Sequence, residues 1–273
     1  MGKPASLAPS QILVCWGSPP SGRSGFSLAS GHQDFVDGNN QESSSESMNF
    51  AAGVVLWGAT THNRELLELG VFLHALEAVA IEQYWFDVDD AVFHEGMQFP
   101  SAGIVWENGA QYRTWFSDEP RAIHGIQLLP IHAGSLYLGR NPKYIARNLA
   151  ALREMKPGAD EFWQDLFWSF EALADGDKAR SAIARNASYK PEAGFSQPAA
   201  RHWIHSLAEM GPLDPSVTGD SAMFAVFSKG EVRTYVAYNP NDAPTKVTFS
   251  DGHELDVPAR SLHHESRKLD KVD

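Results

Sequence analysis

Glu42 and Glu46 stand four residues apart in the run Asp37-Gly38-Asn39-Asn40-Gln41-Glu42-Ser43-Ser44-Ser45-Glu46-Ser47-Met48-Asn49, surrounded by small polar side chains. Two carboxyl groups on one helix face could do acid–base work on a bound ligand, because positions i and i+4 are neighbours on a helix surface. Asp37-Gly38 reads as a turn, Asn39 or Asn40 as an N-cap, and the residues from Met48 onward as apolar enough for a buried helix over 41–58. On that helix Glu42, Glu46, Asn49 and Gly53 would share one face, with Met48, Val54, Val55 and Leu56 supplying much of the rest. Serines are poor helix formers, so Ser43, Ser44 and Ser45 need another reason to be there, and room for a hydroxyl-rich ligand is one. The plainer alternative is a solvated first turn whose glutamates favour the helix dipole.

The elements that must hold this run follow from the rest of the pattern. Thr60-Thr61-His62-Asn63 caps a second long, mostly buried helix over 64–86, with Leu66, Leu67, Val71, Leu73, Leu76, Val79 and Ile81 as its apolar residues. Strands 103–106 and 111–115 flank Glu107-Asn108-Gly109-Ala110, a β-hairpin around an Asn-Gly turn. Helical patterns return over 121–139, where Pro130 kinks or splits the element, and from Asn141 to about Met155, with Pro142 at the first helical position and Pro157-Gly158 as the stop. Helices near 160–174, 177–186 and 198–210 follow. Beyond Gly211 the period changes to strands at 222–227, 232–238, 246–249 and 254–257, and the charged tail after His264 reads as frayed.

Composition narrows the ligand. The 273 residues carry 22 basic and 34 acidic side chains, a net charge of −12, which argues against nucleic acid or a membrane surface and suits a neutral polyhydroxyl ligand. No apolar run approaches the roughly 20 residues of a membrane span. Cys15 is the only cysteine, so an internal disulfide framework is excluded. No cofactor is expected, and the oligomeric state is not legible. Met1 to Gly25 is rich in Pro, Gly and Ser, lacks the form of a signal peptide, and is expected to be poorly ordered.

The stretch from Asp37 to Glu46 resembles the signature of glycoside hydrolase family 81, the endo-β-1,3-glucanases. Later blocks are similar in the same order: Trp106-Glu107, Tyr112-Arg113-Thr114-Trp115-Phe116, Ile123-His124-Gly125-Ile126-Gln127-Leu128-Leu129-Pro130-Ile131 and Ser135-Leu136-Tyr137-Leu138-Gly139. Trp203-Ile204-His205-Ser206-Leu207, Tyr238-Asn239-Pro240 and Val247-Thr248-Phe249-Ser250-Asp251-Gly252 resemble its carboxyl end, so the likeness covers roughly 26–262. It starts abruptly: Phe26-Ser27-Leu28-Ala29-Ser30-Gly31 has Leu28 where the family carries an aromatic.

The resemblance implies a mainly α fold with an (α/α)6-barrel-like catalytic domain, incomplete here by helix count, a β-hairpin insertion and a small antiparallel β element. The expected division is 1–25 as an unrelated leader, 26–212 as partial barrel, 213–265 as β element and 266–273 as tail. It implies β-1,3-glucan as substrate, an inverting mechanism and an extracellular setting. Glu42 matches the family's general base and Glu46 the neighbouring carboxylate that assists or binds. On spacing alone a retaining pair, with carboxyls about 5–5.5 Å apart, stays open. The family's general acid is an upstream aspartate, and nothing before Phe26 matches its motif; Asp34 and Asp37 are nearby acids that no motif places in that role, so the chain is expected to lack the proton donor.

Asp37, Asn40, Gln41, Asn49, Trp106, Tyr112, Trp115, His124 and Gln127 are the substrate-binding candidates, with Tyr84 and Trp85 as further aromatics and His32, His94 and His132 as further histidines. Core packing competes with binding for each aromatic. The run Asp87-Asp89-Asp90 lacks the ladder of a calcium loop and reads as solvated, so no metal site is assigned. A glucan-binding protein without catalysis, and a gene fragment that leaves apolar helix faces bare, are the competing readings.

Overall fold

The computed structural model describes residues 35–156, 162–192 and 194–269. The leader with Cys15, the 26–31 stretch, His32, Asp34 and Pro157-Gly158 lie outside the described residues. The chain is mainly α, with small antiparallel sheets. Seven α-helices occur among the described residues: α1 (Ser44–Thr60), α2 (Arg64–Ala80), α3 (Pro120–Gly125), α4 (Pro142–Met155), α5 (Gln164–Ala172), α6 (Gly176–Arg185) and α7 (Gln197–Met210).

Helix α1 starts later than its pattern predicts. Asn40–Gln41 form a short strand, β1, and Ser43 is the N-cap, so Glu42 precedes the helix and only Glu46 lies in its first turn. The shared helical face for the two glutamates is thereby corrected, and tertiary pairing is the reason. Asn40 pairs with Trp106 and Gln41 with Val105, so β2 (Ile104–Trp106) draws this segment into a three-stranded sheet with β3 (Gly109–Gln111).

Asn63 caps α2 by accepting from the Leu66 amide at 3.0 Å, and the helix passes into one π-helical stretch at Ile81–Trp85. The α1–α2 hairpin packs with its backbones nearly touching. A Cβ on Gly58 would stand 2.3 Å from the Leu67 amide nitrogen, and one on Gly70 would stand 2.6 Å from that of Val55. Gly70→Ala is therefore expected to destabilise the protein by about 1–3 kcal/mol through overpacking, against its favourable helix propensity. A melting temperature equal to or above that of the parent would refute the backbone approach.

The hairpin is less buried than its apolar content predicts. Met48, Leu73 and Ile81 are buried, but Phe50, Leu56, Trp57, Val71, Phe72 and Val79 are exposed. The apolar residues thus cover both faces of the hairpin, and within the described residues only one face meets the core.

Pro130 splits the 121–139 pattern into α3 and a 3-10 helix over Ala133–Arg140, with a cis Leu129–Pro130 bond between them. Asn141 and Pro142 open α4 as their types require: the Asn141 side chain accepts from the Tyr144 amide at 3.0 Å. One core, including Trp85, Ile145, Leu166, Phe170, Ile183 and Ile204, joins the helices.

A second core of Val226, Tyr235, Val247, Phe249 and Leu255 lies within the carboxyl-terminal strands. Strand β5 (Val232–Asn239) is central between β4 (Phe224–Lys229) and β8 (Ser261–Lys268), while β6 (Thr245–Thr248) pairs with β7 (Glu254–Val257). The expected frayed tail is corrected as far as Lys268, because Ser266, Arg267 and Lys268 pair with Thr234, Arg233 and Val232.

Candidate active site

The turn at Asp37-Gly38 needs its glycine. Gly38 has φ +85°, and a Cβ there would fall 2.3 Å from the Glu107 carboxylate. Asn39 donates to Glu107 Oε1 at 3.0 Å, the Glu107 amide donates to the Asn39 carbonyl at 3.0 Å, and Asn108 donates to Asp37 Oδ1 at 2.6 Å. These bonds also choose the hairpin register. Trp106 pairs with Gly109, so Glu107-Asn108 are the two loop residues, one position before the expected Asn-Gly turn.

From this frame the chain reaches Glu42. Its carboxylate accepts from the Trp115 backbone N–H, and the Trp115 indole donates to Asn40 Oδ1 at 3.3 Å. Trp115 keeps 53% of its surface exposed beside Phe35 and Trp106, with ring centroids 5.5 and 5.6 Å away. Arg113 lies over the Trp115 ring at 5.9 Å. The site therefore offers a half-buried carboxylate flanked by an open aromatic face, complementary to a pyranose with its apolar C–H face and its hydroxyl rim.

Partial burial pushes the Glu42 carboxyl above the ordinary carboxylate range; the Trp115 amide opposes this, and the negative charge of Glu46 adds to it. Glu46 itself is exposed, one helical turn further on. The raised Glu42 carboxyl is the one in this run whose surroundings favour taking up a proton.

The serines have a structural reason. Ser44 donates through its amide and its hydroxyl to Gln127 Oε1 at 2.9 and 2.8 Å, while Gln127 donates to the Gly103 carbonyl at 2.8 Å. Ser43 and Ser45 donate to the Ile126 carbonyl at 3.2 and 2.9 Å. All three are buried, so they anchor the start of α1 and leave no room for a ligand. Gln127 serves as a cap supplied from outside the helix, satisfying an otherwise unpaired helix-start N–H.

Other candidates join the framework rather than the surface. Gln127 and His124 are buried, and both His124 nitrogens are occupied: Nδ1 donates to Asn148 Oδ1 at 2.9 Å and Nε2 accepts from the Tyr112 hydroxyl at 3.1 Å. Tyr112 is half-buried and stacks on Phe99 at 3.7 Å. Asn40, Gln41 and Trp106 are buried as well, with the Trp106 indole bonded to Gln111. Asn49 is half-buried and bonded to His132. Trp85 is wholly buried, Tyr84 half-buried, and Asp87 takes the amides of Ala91, Val92 and Phe93. Among the described residues no group of three His, Cys, Asp or Glu side chains could hold a metal.

The structure thus brings together Glu42, Glu46, Asn40, Trp106 and Trp115, with Asp37 at the adjoining turn. It also brings in Phe35, which the sequence reading did not single out; the only signal was an aromatic two residues before the Asp37 turn.

Comparison with known proteins places these residues in a wider setting. The family model described as "Glycosyl hydrolase family 81 C-terminal domain" matches residues 23–205. A glucan endo-1,3-beta-D-glucosidase of Thermobifida fusca is 44% identical over 87% of this chain and 32% of its own length. The protein of the same description from Acetivibrio thermocellus is 40% identical over 87% of this chain and 31% of its own. A solved glycoside hydrolase family 81 structure from Clostridium thermocellum superposes with a TM-score of 0.85 at 38% identity, covering 89% of this chain and 34% of that one. The chain therefore spans about a third of the length of these relatives. With the motif run, the fold and a family match over most of its residues in agreement, this chain belongs to glycoside hydrolase family 81.

Proposed function

We propose that the chain contributes the base-bearing part of a site that hydrolyses internal bonds of β-1,3-glucan with inversion. Glu42 is the general base and Glu46 holds the water or a sugar hydroxyl. The carrying observation is the half-buried Glu42 carboxylate, fixed by the Trp115 amide beside the open Trp115 ring. In an inverting reaction a second carboxyl, about 6.5–9.5 Å away across the scissile bond, protonates the leaving oxygen. Glu46 is the acid whose charge acts on Glu42, and it follows on the same segment, so it fits assistance better than that opposite position. We assign no proton donor among the described residues. The relatives' descriptions as glucan endo-1,3-beta-D-glucosidases support the substrate class.

Without general-acid assistance, reducing-end release from laminarin by this chain is expected to run about 10²–10⁴-fold below that of a full-length relative. A rate close to the relative's would overturn the missing-donor reading. Glucan binding without catalysis is the second reading, favoured by the exposed Trp115 face. Saturable binding of laminari-oligosaccharides with no product, abolished by Trp115→Ala, would establish it.

A further inference from the structure

A cavity of about 510 Å³ lies between α3, α4, α5 and α6, lined by residues other than the glutamates and aromatics around Glu42. Five of the chain's 22 cationic side chains line it: Arg121, Arg153, Lys156, Lys178 and Arg185. In a chain of net charge −12 that concentration is opposite in sign to the whole molecule.

The cations are held apart in a fixed arrangement. Glu171, on α5, pairs with Arg153 of α4 at 2.7 Å and with Lys178 of α6 at 2.6 Å, so one carboxylate ties three helices together at the cavity wall. Lys156 pairs with Glu119 at 2.9 Å, and Arg121 lies 3.7 Å from the same carboxylate. Among the described residues, setting Glu171 against Arg153, Lys178 and Arg185 leaves these three cations with two net positive charges. Neutralising Glu171 therefore does not account for these three cations. Arg185, exposed at the end of α6, forms no ion pair among the described residues and is the natural first contact for an incoming anion.

The remaining wall is apolar and partly aromatic, from Phe162, Phe167 and Trp168, with the Gln164 and Asn186 amides beside it. Cations alone would suit any anion. Cations next to a half-buried indole and two amides suit an anion carried on a ring with one apolar face and a hydroxyl rim.

We propose that this cavity is a second carbohydrate subsite, specific for an acidic pyranose that carries a carboxylate or a phosphate. The anion lies among Arg153, Lys178 and Arg185, and the sugar face lies on Trp168. The site is independent of the chemistry at Glu42, so it stands or falls separately from the hydrolytic reading.

The test is calorimetric titration of the whole chain with glucuronate, glucose 6-phosphate, glucose and inorganic phosphate at low salt. One-to-one binding of at least one acidic sugar is expected, about tenfold or more tighter than glucose because of the charge-assisted contact, and about tenfold or more tighter than phosphate because of the sugar face on Trp168. A preference between glucuronate and glucose 6-phosphate identifies the carboxylate or the phosphate as the anion. Arg185→Ala, a change at an exposed helix end, is expected to weaken that binding at least about fivefold, with Arg185→Lys restoring part of it. Trp168→Leu is expected to remove the accompanying change in tryptophan fluorescence. No binding of either acidic sugar, equal binding of inorganic phosphate, or an affinity indifferent to Arg185→Ala would each overturn the proposal.

Discussion

Glu42→Gln is expected to remove laminarin hydrolysis by about 10²–10⁴-fold wherever the site is complete, and to leave the melting temperature at pH 7 unchanged or higher. The two effects have one origin. Burial and the neighbouring charge of Glu46 raise the Glu42 pKa, so the folded state holds its proton more tightly than the unfolded chain does. Ionised Glu42 therefore costs stability above its unfolded pKa, and a neutral amide at that position avoids the cost. Glutamine keeps a carbonyl oxygen for the Trp115 amide, so the loop is retained while the proton acceptor is lost. The activity of the parent should rise with pH through the elevated Glu42 pKa, because a general base works only when deprotonated. Undiminished hydrolysis in Glu42→Gln would remove Glu42 from the mechanism.

Acid should weaken the fold through His124 before the surface carboxylates titrate. Burial pushes its pKa down to about 4 from an ordinary value of 6.5, with the Asn148 hydrogen bond acting in the opposite direction. The unfolded chain takes up a proton below about pH 6.5 and the folded chain only near pH 4. Stability at neutral pH is therefore lost progressively as pH falls through that window, by about 3 kcal/mol from this group. His74, half-buried and with its pKa lowered by desolvation, adds to the same trend. Urea unfolding at pH 7, 5.5 and 4.5 measures the slope, and His124→Gln should flatten it even as it lowers stability at pH 7. An equal slope in the variant would show that His124 titrates normally.

His124 also marks where the sequence stopped being sufficient. Spacing cannot show that its two nitrogens are taken by Asn148 and Tyr112, one 24 residues and the other 12 residues away. Gln127 is similar: beside a proline kink it reads as a ligand group, but it reaches 83 residues back to seat Ser44. The helices with strong local signals were legible. Asn141-Pro142 opens α4 and Asn63 caps α2 at the positions their chemistry requires, and the Asp37-Gly38 turn forms where its glycine permits a left-handed backbone. The start of α1 was not, because a two-residue strand formed with the hairpin overrides the capping signal at Asn39 and Asn40.

The sequence by itself determined the family, the mainly helical order of elements and the run that carries Glu42 and Glu46, because each depends on residue types at short range. Only the tertiary structure decided that Glu42 lies ahead of the helix and Glu46 within it, that Trp115 rather than Tyr112 presents the open aromatic face, and that the serines anchor rather than bind. Those outcomes depend on which distant backbone groups complete a hydrogen bond and which rings lose water. Partners of that kind, separated by scores of residues, leave no period in the chain.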